Sequence, residues 1–337
     1  MTTREFGVNV NTRAPLLYPE DYSVPALLDL GVAAERLGFD SVWAGDNYFS
    51  TARFECIAVL SGIAARTARV KLGTACLIAP LRNTIWLAVG WATLDQLSGG
   101  RTILNMCVGG GIKEAGGVHF SNEFQAAGVD YRKRGHVLAD QIRVLRALWT
   151  DKEVNYASEF HTLRGVRLET RPAQAPCPPI WIASNPQIFG VGSRQADEMM
   201  KRVGTLADGW MSAAASPAEY RRYLAMVRDH AARAGRDPRS LRAAYQMTIT
   251  VDPDRSRARR EGLEFVNRYY HTDFPTIEGS LWERDPFGTP EECRDHIFEM
   301  MDAGVETFCF RFAARHQLRQ VELFSQEVLP SLRKAAA

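Results

Sequence analysis

The sequence predicts an α/β protein built as a single (β/α)₈ TIM barrel, and three observations carry that prediction. Short apolar runs alternate with helical periodicity from end to end. Eight strand candidates can be counted, at residues 6–11, 41–44, 70–76, 102–108, 180–183, 209–212, 242–251 and 307–312. Several are near-continuous apolar runs, as parallel strands covered on both faces require. Eight alternations of strand and helix favour a closed barrel over an open sheet, with chemistry at the carboxyl ends of the strands. The expected organisation is one domain over residues 1–337.

Each element has a legible reason. After strand one, Ser23 and Pro25 open a helix with Leu27, Leu30, Ala34 and Leu37 on one face and Gly38 as its stop. Strand two runs into the polar pair Asp46-Asn47, and strand three ends on Gly73-Thr74. Leu87, Trp91 and Leu94 repeat the core spacing in the third helix. Residues 92–101 then read as a helix end, a two-glycine stop and a charged step into strand four. Asn105 stands within that apolar strand, and Gly109, Gly110 and Gly111 open the backbone after it.

A long glycine-rich connection covers residues 109–130, after which Tyr131 introduces a helix marked by Leu138, Ile142, Leu145 and Trp149. Ser193 reads as the N-cap of the helix carrying Met199 and Met200. A second long connection, 252–288, contains Tyr269, Tyr270, His271, Phe274 and Trp282. Both long segments follow strands and are expected to project from the catalytic face, the second as a lid. Trp43, Trp181 and Trp210 lie in strands and read as barrel core.

Composition narrows the function classes. A formal net charge of +2, with 46% apolar residues, gives no field suited to nucleic acid or an anionic membrane. The run Arg255-Ser256-Arg257-Ala258-Arg259-Arg260 has no interleaved aromatics and reads as a solvated helix face. Six scattered cysteines show no C-x-x-C spacing, and no apolar run approaches a membrane span, so the expected compartment is a reducing cytoplasm. There is no complete G-x-G-x-x-G fingerprint, no P-loop, no nucleophile elbow, and no metal-ligand spacing among seven histidines. What remains is a bound organic cofactor or plain acid–base chemistry.

From end to end, the chain resembles the bacterial-luciferase-like family of flavin and deazaflavin enzymes. The resemblance rests on Glu35 through Trp43 with Gly45-Asp46, then Val70 through Thr74 with Pro80-Leu81-Arg82, and the 92–101 segment. It continues in Tyr131-Arg132-Lys133-Arg134-Gly135, Leu145 through Trp149, Pro178 through Ile182, Ala207-Asp208-Gly209-Trp210, Gly288-Thr289-Pro290-Glu291 and Ala303-Gly304-Val305. Such a resemblance implies a barrel that holds a flavin in its carboxyl-terminal mouth, often as a homodimer. Members include monooxygenases using reduced FMN from a separate reductase, and oxidoreductases that move hydride to or from a deazaflavin.

Candidate site residues follow from strand position and resemblance together. Asp46 and Asn47 are expected as a polar wall beside the isoalloxazine ring or as helix caps; many family members have Asp-His there. Thr74 is placed to bond the flavin edge, and Asn105 to match its pyrimidine edge with a donor and an acceptor. Tyr131 stands against the flavin or its tail, or serves as a staple at a helix start. Either Ser184-Asn185 or Gly192-Ser193 would hold the phosphate at a helix N-terminus. Arg311 and His316 are candidates for orienting an anionic substrate or an oxygenated flavin adduct.

The leading expectation is an FMN-dependent monooxygenase that oxygenates a small organic substrate with O₂, supplied by an NAD(P)H flavin reductase. The alternative is deazaflavin-dependent hydride transfer without oxygen. A third reading is a flavin-binding protein without catalysis.

Overall fold

Eight parallel strands close on themselves around a filled interior. They are β1 (Glu5–Val10), β2 (Ser41–Ala44), β3 (Lys71–Thr74), β4 (Thr102–Cys107), β5 (Ile180–Ala183), β6 (Gly209–Ala213), β7 (Arg242–Val251) and β8 (Thr307–Phe312). Each pairs with the next, and β8 returns to β1 in register, with Phe6 opposite Phe308 and Val8 opposite Phe310. The computed structural model describes residues 3–110, 121–190, 192–278 and 284–336. Gly111, Val191, Trp282 and parts of the two long connections lie outside the described residues.

Helices α1 (Val24–Arg36), α2 (Cys56–Ala64), α3 (Thr84–Ser98), α4 (Arg134–Thr150), α5 (Arg194–Leu206), α6 (Pro217–Arg233), α7 (Arg255–Tyr270), α8 (Pro290–Asp302), α9 (Gln317–Glu327) and α10 (Leu329–Ala336) surround the strands. Their caps are the ones the sequence suggests: Ser23 accepts from Ala26 N, and Ser193 accepts from Ala196 N. Leu27, Leu30 and Ala34 of α1, Leu87, Trp91 and Leu94 of α3, and Leu138, Ile142, Leu145 and Trp149 of α4 fill the layer between helices and barrel.

The structure departs from expectation in three places. Residues 255–270, expected within a loop, form α7, because Asp254 caps the N–H groups of Ser256 and Arg257. Ala258, Gly262, Phe265, Val266 and Tyr269 bury one face of it, a spacing hidden behind its arginine-rich start. The third strand ends at Thr74, and Leu77–Ile78 resumes pairing with the end of β4. Finally, Val154–Ala157 and Thr162–Val166 form an antiparallel hairpin outside the barrel.

Candidate active site

The barrel interior is plugged by Trp43, Ile103, Trp181, Met211, Ala244 and Cys309. The two indoles lie with ring centroids 5.5 Å apart. Space for them comes from strand glycines: a Cβ on Gly73 would lie 2.2 Å from the Trp43 ring, and one on Gly209 2.7 Å from Trp181. Alternation along the strands carries Asn105, Thr248 and Arg311 to the inner side, toward the carboxyl end. The mouth is therefore a polar rim above an apolar plug.

Thr74 and Asn105 form one unit within it. Thr74 Oγ1 donates to the Asn105 carbonyl at 2.6 Å and accepts from the Asn105 N–H at 3.1 Å. The β3–β4 ladder ends one residue earlier, at Gly73 and Ile103, so the hydroxyl bridges strands that have begun to diverge. The Asn105 amide donates to Thr74 O at 3.0 Å and reaches Met211 Sδ at 3.2 Å. Its Oδ1 is buried without a partner among the described residues, an acceptor left for something else.

The pair after β2 is committed locally. Asp46 takes Arg82 Nη2 at 2.7 Å and Ile78 N at 3.0 Å, and burial raises its carboxyl above the ordinary carboxylate range against the pull of Arg82. Asn47 Oδ1 accepts from Thr51 N at 2.9 Å, closing a turn. Asp46 is thus tied to Arg82 and to the backbone of Ile78, and Asn47 to the turn that follows β2.

The phosphate candidates divide. Ser184 gives its N–H to Met211 O, and its hydroxyl takes Trp210 Nε1 at 3.1 Å. Asn185 Oδ1 holds Ala213 N at 2.9 Å. Gly192 takes a left-handed φ of 79°, which glycine tolerates, and delivers Ser193 to the α5 cap. Tyr131 packs edge-on against Phe124 beneath the Arg134 guanidinium, and its hydroxyl lies over Gly110, where a Cβ would come within 2.7 Å. His316 sits exposed at the N-cap of α9, away from the inner face.

Arg311, by contrast, belongs to a cluster. Its Nη2 donates to Thr248 Oγ1 at 2.7 Å, its neighbour in the β7–β8 register, and Nη1 donates to Tyr270 Oη at 2.5 Å. Asp285 is buried beside it, also bonded to Thr248, and desolvation pushes its carboxyl up to about 7. Two arginines that sequence reasoning missed complete the group. Arg13, just past β1, bonds His271 Nε2 at 2.6 Å, and Arg53, in the loop after β2, donates to Tyr269 Oη. The only signal for them was a cationic residue beyond a strand end.

A cavity of about 460 Å³ lies elsewhere, outside the barrel between the start of α3, residues 128–133 and the hairpin tip. In its wall Thr84 Oγ1 meets His161 Nε2 at 2.6 Å, and His161 Nδ1 meets Asp140 at 2.6 Å. Asp140 also accepts from Tyr156 and Ser158, so the series ties the hairpin to α4.

Residues 4–307 match the family model described as luciferase-like monooxygenase. The chain belongs to that family. This luciferase-like chain is 25% identical over 343 residues to an F420-dependent glucose-6-phosphate dehydrogenase of Amycolatopsis mediterranei, covering 93% of this chain and 96% of the relative. It is 26% identical over 342 residues to the protein of the same name in Kineococcus radiotolerans, covering 93% and 95%. Among solved structures, monooxygenase RslO1 from Streptomyces bottropensis superposes with a TM-score of 0.79 at 22% identity, covering 97% and 99%. An F420-dependent secondary alcohol dehydrogenase, solved with an F420-acetone adduct, gives 0.77 at 22%, covering 99% and 100%. These structural likenesses establish the shared barrel.

The luciferase-like chain is thus an oxidoreductase, and a flavin-type cofactor accompanies that membership. The expectation of an FMN-dependent monooxygenase is overturned, because the curated relatives matched along nearly the whole chain are named F420-dependent dehydrogenases. The O₂ and the separate reductase belonged to that reading. Among the described residues no helix is long and apolar enough to cross a membrane.

Proposed function

We propose that this chain is a deazaflavin-dependent oxidoreductase that moves a hydride between its cofactor and a small organic alcohol or carbonyl compound in the barrel mouth. The observation that carries this reading is the match to F420-dependent dehydrogenases over 93% of the chain. A bound deazaflavin supplies a two-electron carrier that gives or accepts a hydride.

The residues present suit such a group. Asn105 Oδ1, buried and unpartnered among the described residues, accepts a ring N–H, and the Thr74 hydroxyl holds the Asn105 backbone in place. Gly109 and Gly110 keep the β4 exit narrow: a Cβ on Gly109 would meet Ile78 at 2.6 Å. First-turn N–H groups of α5, behind Gly192-Ser193, attract the phosphate. Asp285, at about 7, holds or releases a proton near neutrality, and its Oδ1, unpartnered among the described residues, exchanges that proton with the substrate oxygen. Burial of the rim keeps water from the reacting atoms.

Side-by-side fluorescence titration with reduced deazaflavin and reduced FMN tests the reading. Tighter binding of the deazaflavin is expected; an FMN complex tighter by about tenfold, or about 1.4 kcal/mol, would sink it. A homodimer through α3, whose Ile85, Trp86 and Leu97 are exposed, and a cytoplasmic location complete the proposal.

A further inference from the structure

Three guanidiniums converge on the ring of Tyr269. Arg13 Cζ lies 5.6 Å from its centroid, Arg53 Cζ 5.2 Å and Arg311 Cζ 5.2 Å. They reach it from three different places in the chain: the exit of β1, the loop after β2 and the end of β8. Arg13 is only 5% exposed and Arg311 7%. Buried arginines are ordinarily paired with carboxylates, because an unpaired buried charge is costly. Here, among the described residues, none of the three makes an ion pair; their hydrogen-bond partners are Ala52 O, His271, Tyr269, Thr51, Tyr270 and Thr248, and Asp285, the carboxyl beside Arg311, is pushed toward its protonated form by burial.

The Nε atom of each of the three is buried with no hydrogen-bond partner among the described residues. The arrangement is also built in. Gly45 has no side chain where the Arg53 guanidinium lies, and a Cβ there would sit 2.6 Å from Nη1. Around the barrel the cluster occupies β8, β1 and β2, whereas Asn105 stands on β4, on the far side of the mouth.

We propose that Arg13, Arg53 and Arg311 form an oxyanion clamp that seats the charged end of the substrate, making the substrate class a small alcohol or carbonyl compound that bears a phosphate or a carboxylate. The assignment of this anion to the substrate rests on the hydride-transfer reading; the clamp itself does not. Arginine suits the task, since its planar fork binds phosphate and carboxylate oxygens through parallel charge-assisted hydrogen bonds. The Tyr269 ring holds the three cations together before the anion arrives.

Calorimetric titration of the protein without cofactor, at constant ionic strength, tests the clamp with inorganic phosphate, sulfate and acetate as probes. Saturable one-to-one binding is expected, and the ranking of phosphate against acetate separates the two substrate classes. Arg13→Met and Arg53→Met should each weaken the preferred anion about tenfold, while Arg143→Met, on the exposed face of α4, should not. Gly45→Ala supplies a variant that keeps every charge and only displaces Arg53; it should weaken the anion as well. Near-UV circular dichroism confirms that each variant is folded.

No saturable binding in the unmodified protein, or equal affinity in the Arg13, Arg53 and Arg143 variants, overturns the clamp. So does weakening of reduced-deazaflavin binding by the same arginine variants without any effect on phosphate, which would give the cluster to the cofactor. If phosphate or acetate binds as expected while deazaflavin does not bind at all, the clamp stands and the hydride-transfer reading falls.

Discussion

Asp285 lies buried beside Arg311, bonded to Thr248, and desolvation pushes its carboxyl up to about 7. In the unfolded chain an aspartate ionises near about 3.9. The folded protein therefore holds this proton more tightly, so the contribution to stability is complete below about pH 4 and is lost as the pH rises toward 7. The slope from this one group is at most about 1.4 kcal/mol per pH unit. Melting temperatures should accordingly fall between pH 5 and pH 8, and Asp285→Asn should flatten the decline; an identical decline in both proteins contradicts the assignment. Asp46 offers a second residue-scale check. It is buried against Arg82 at 2.7 Å, and Arg82→Met would leave that carboxylate without its counter-ion, with only the Ile78 N–H bonded to it. A loss of about 3–5 kcal/mol in urea unfolding is expected.

At the scale of elements, the interior depends on strands that carry no side chain where an indole must lie. Gly73 of β3 faces Trp43, where an added Cβ would lie only 2.2 Å from the indole, and the ring is itself bonded to Ser41. Gly73→Ala should cost about 1–3 kcal/mol by overpacking, read as a shift of the urea midpoint at constant slope. An unchanged midpoint would show that the plug yields. The α7 helix shows the opposite relation between pattern and element. Phe265, Val266 and Tyr269 bury its inner face, yet the arginine run at its start reads only as a solvated helix face within a long connection until Asp254 is recognised as a cap.

On the scale of the whole molecule, the closing β8–β1 pair brings residues 307–312 against residues 5–10, so neither end of the barrel sequence can form its sheet alone. The same closure sets Arg311 beside Arg13 and makes the clamp a property of the finished barrel. The outside of the barrel has its own signal: Trp86 is 80% exposed at the start of α3, with Ile85 and Leu97 exposed along the same helix. Light scattering should give the mass of two chains, and Trp86→Glu should shift it toward one; a single-chain mass in the unmodified protein would remove the proposed dimer.

Local chemistry was enough to determine the eight barrel strands to within a few residues and the helix caps at Ser23 and Ser193, because periodicity and capping act within a few residues. The family likewise followed from short segments read in order. Only the tertiary structure decided that Thr74 bridges two strands, that Asp46 is consumed by Arg82, and that Arg13, Arg53 and Arg311 surround one tyrosine. Those outcomes depend on which side chains closure of the barrel brings together across hundreds of residues. Charge, desolvation and hydrogen-bond satisfaction are settled by neighbours in space, and a strand-end residue has no such neighbours until the barrel has closed.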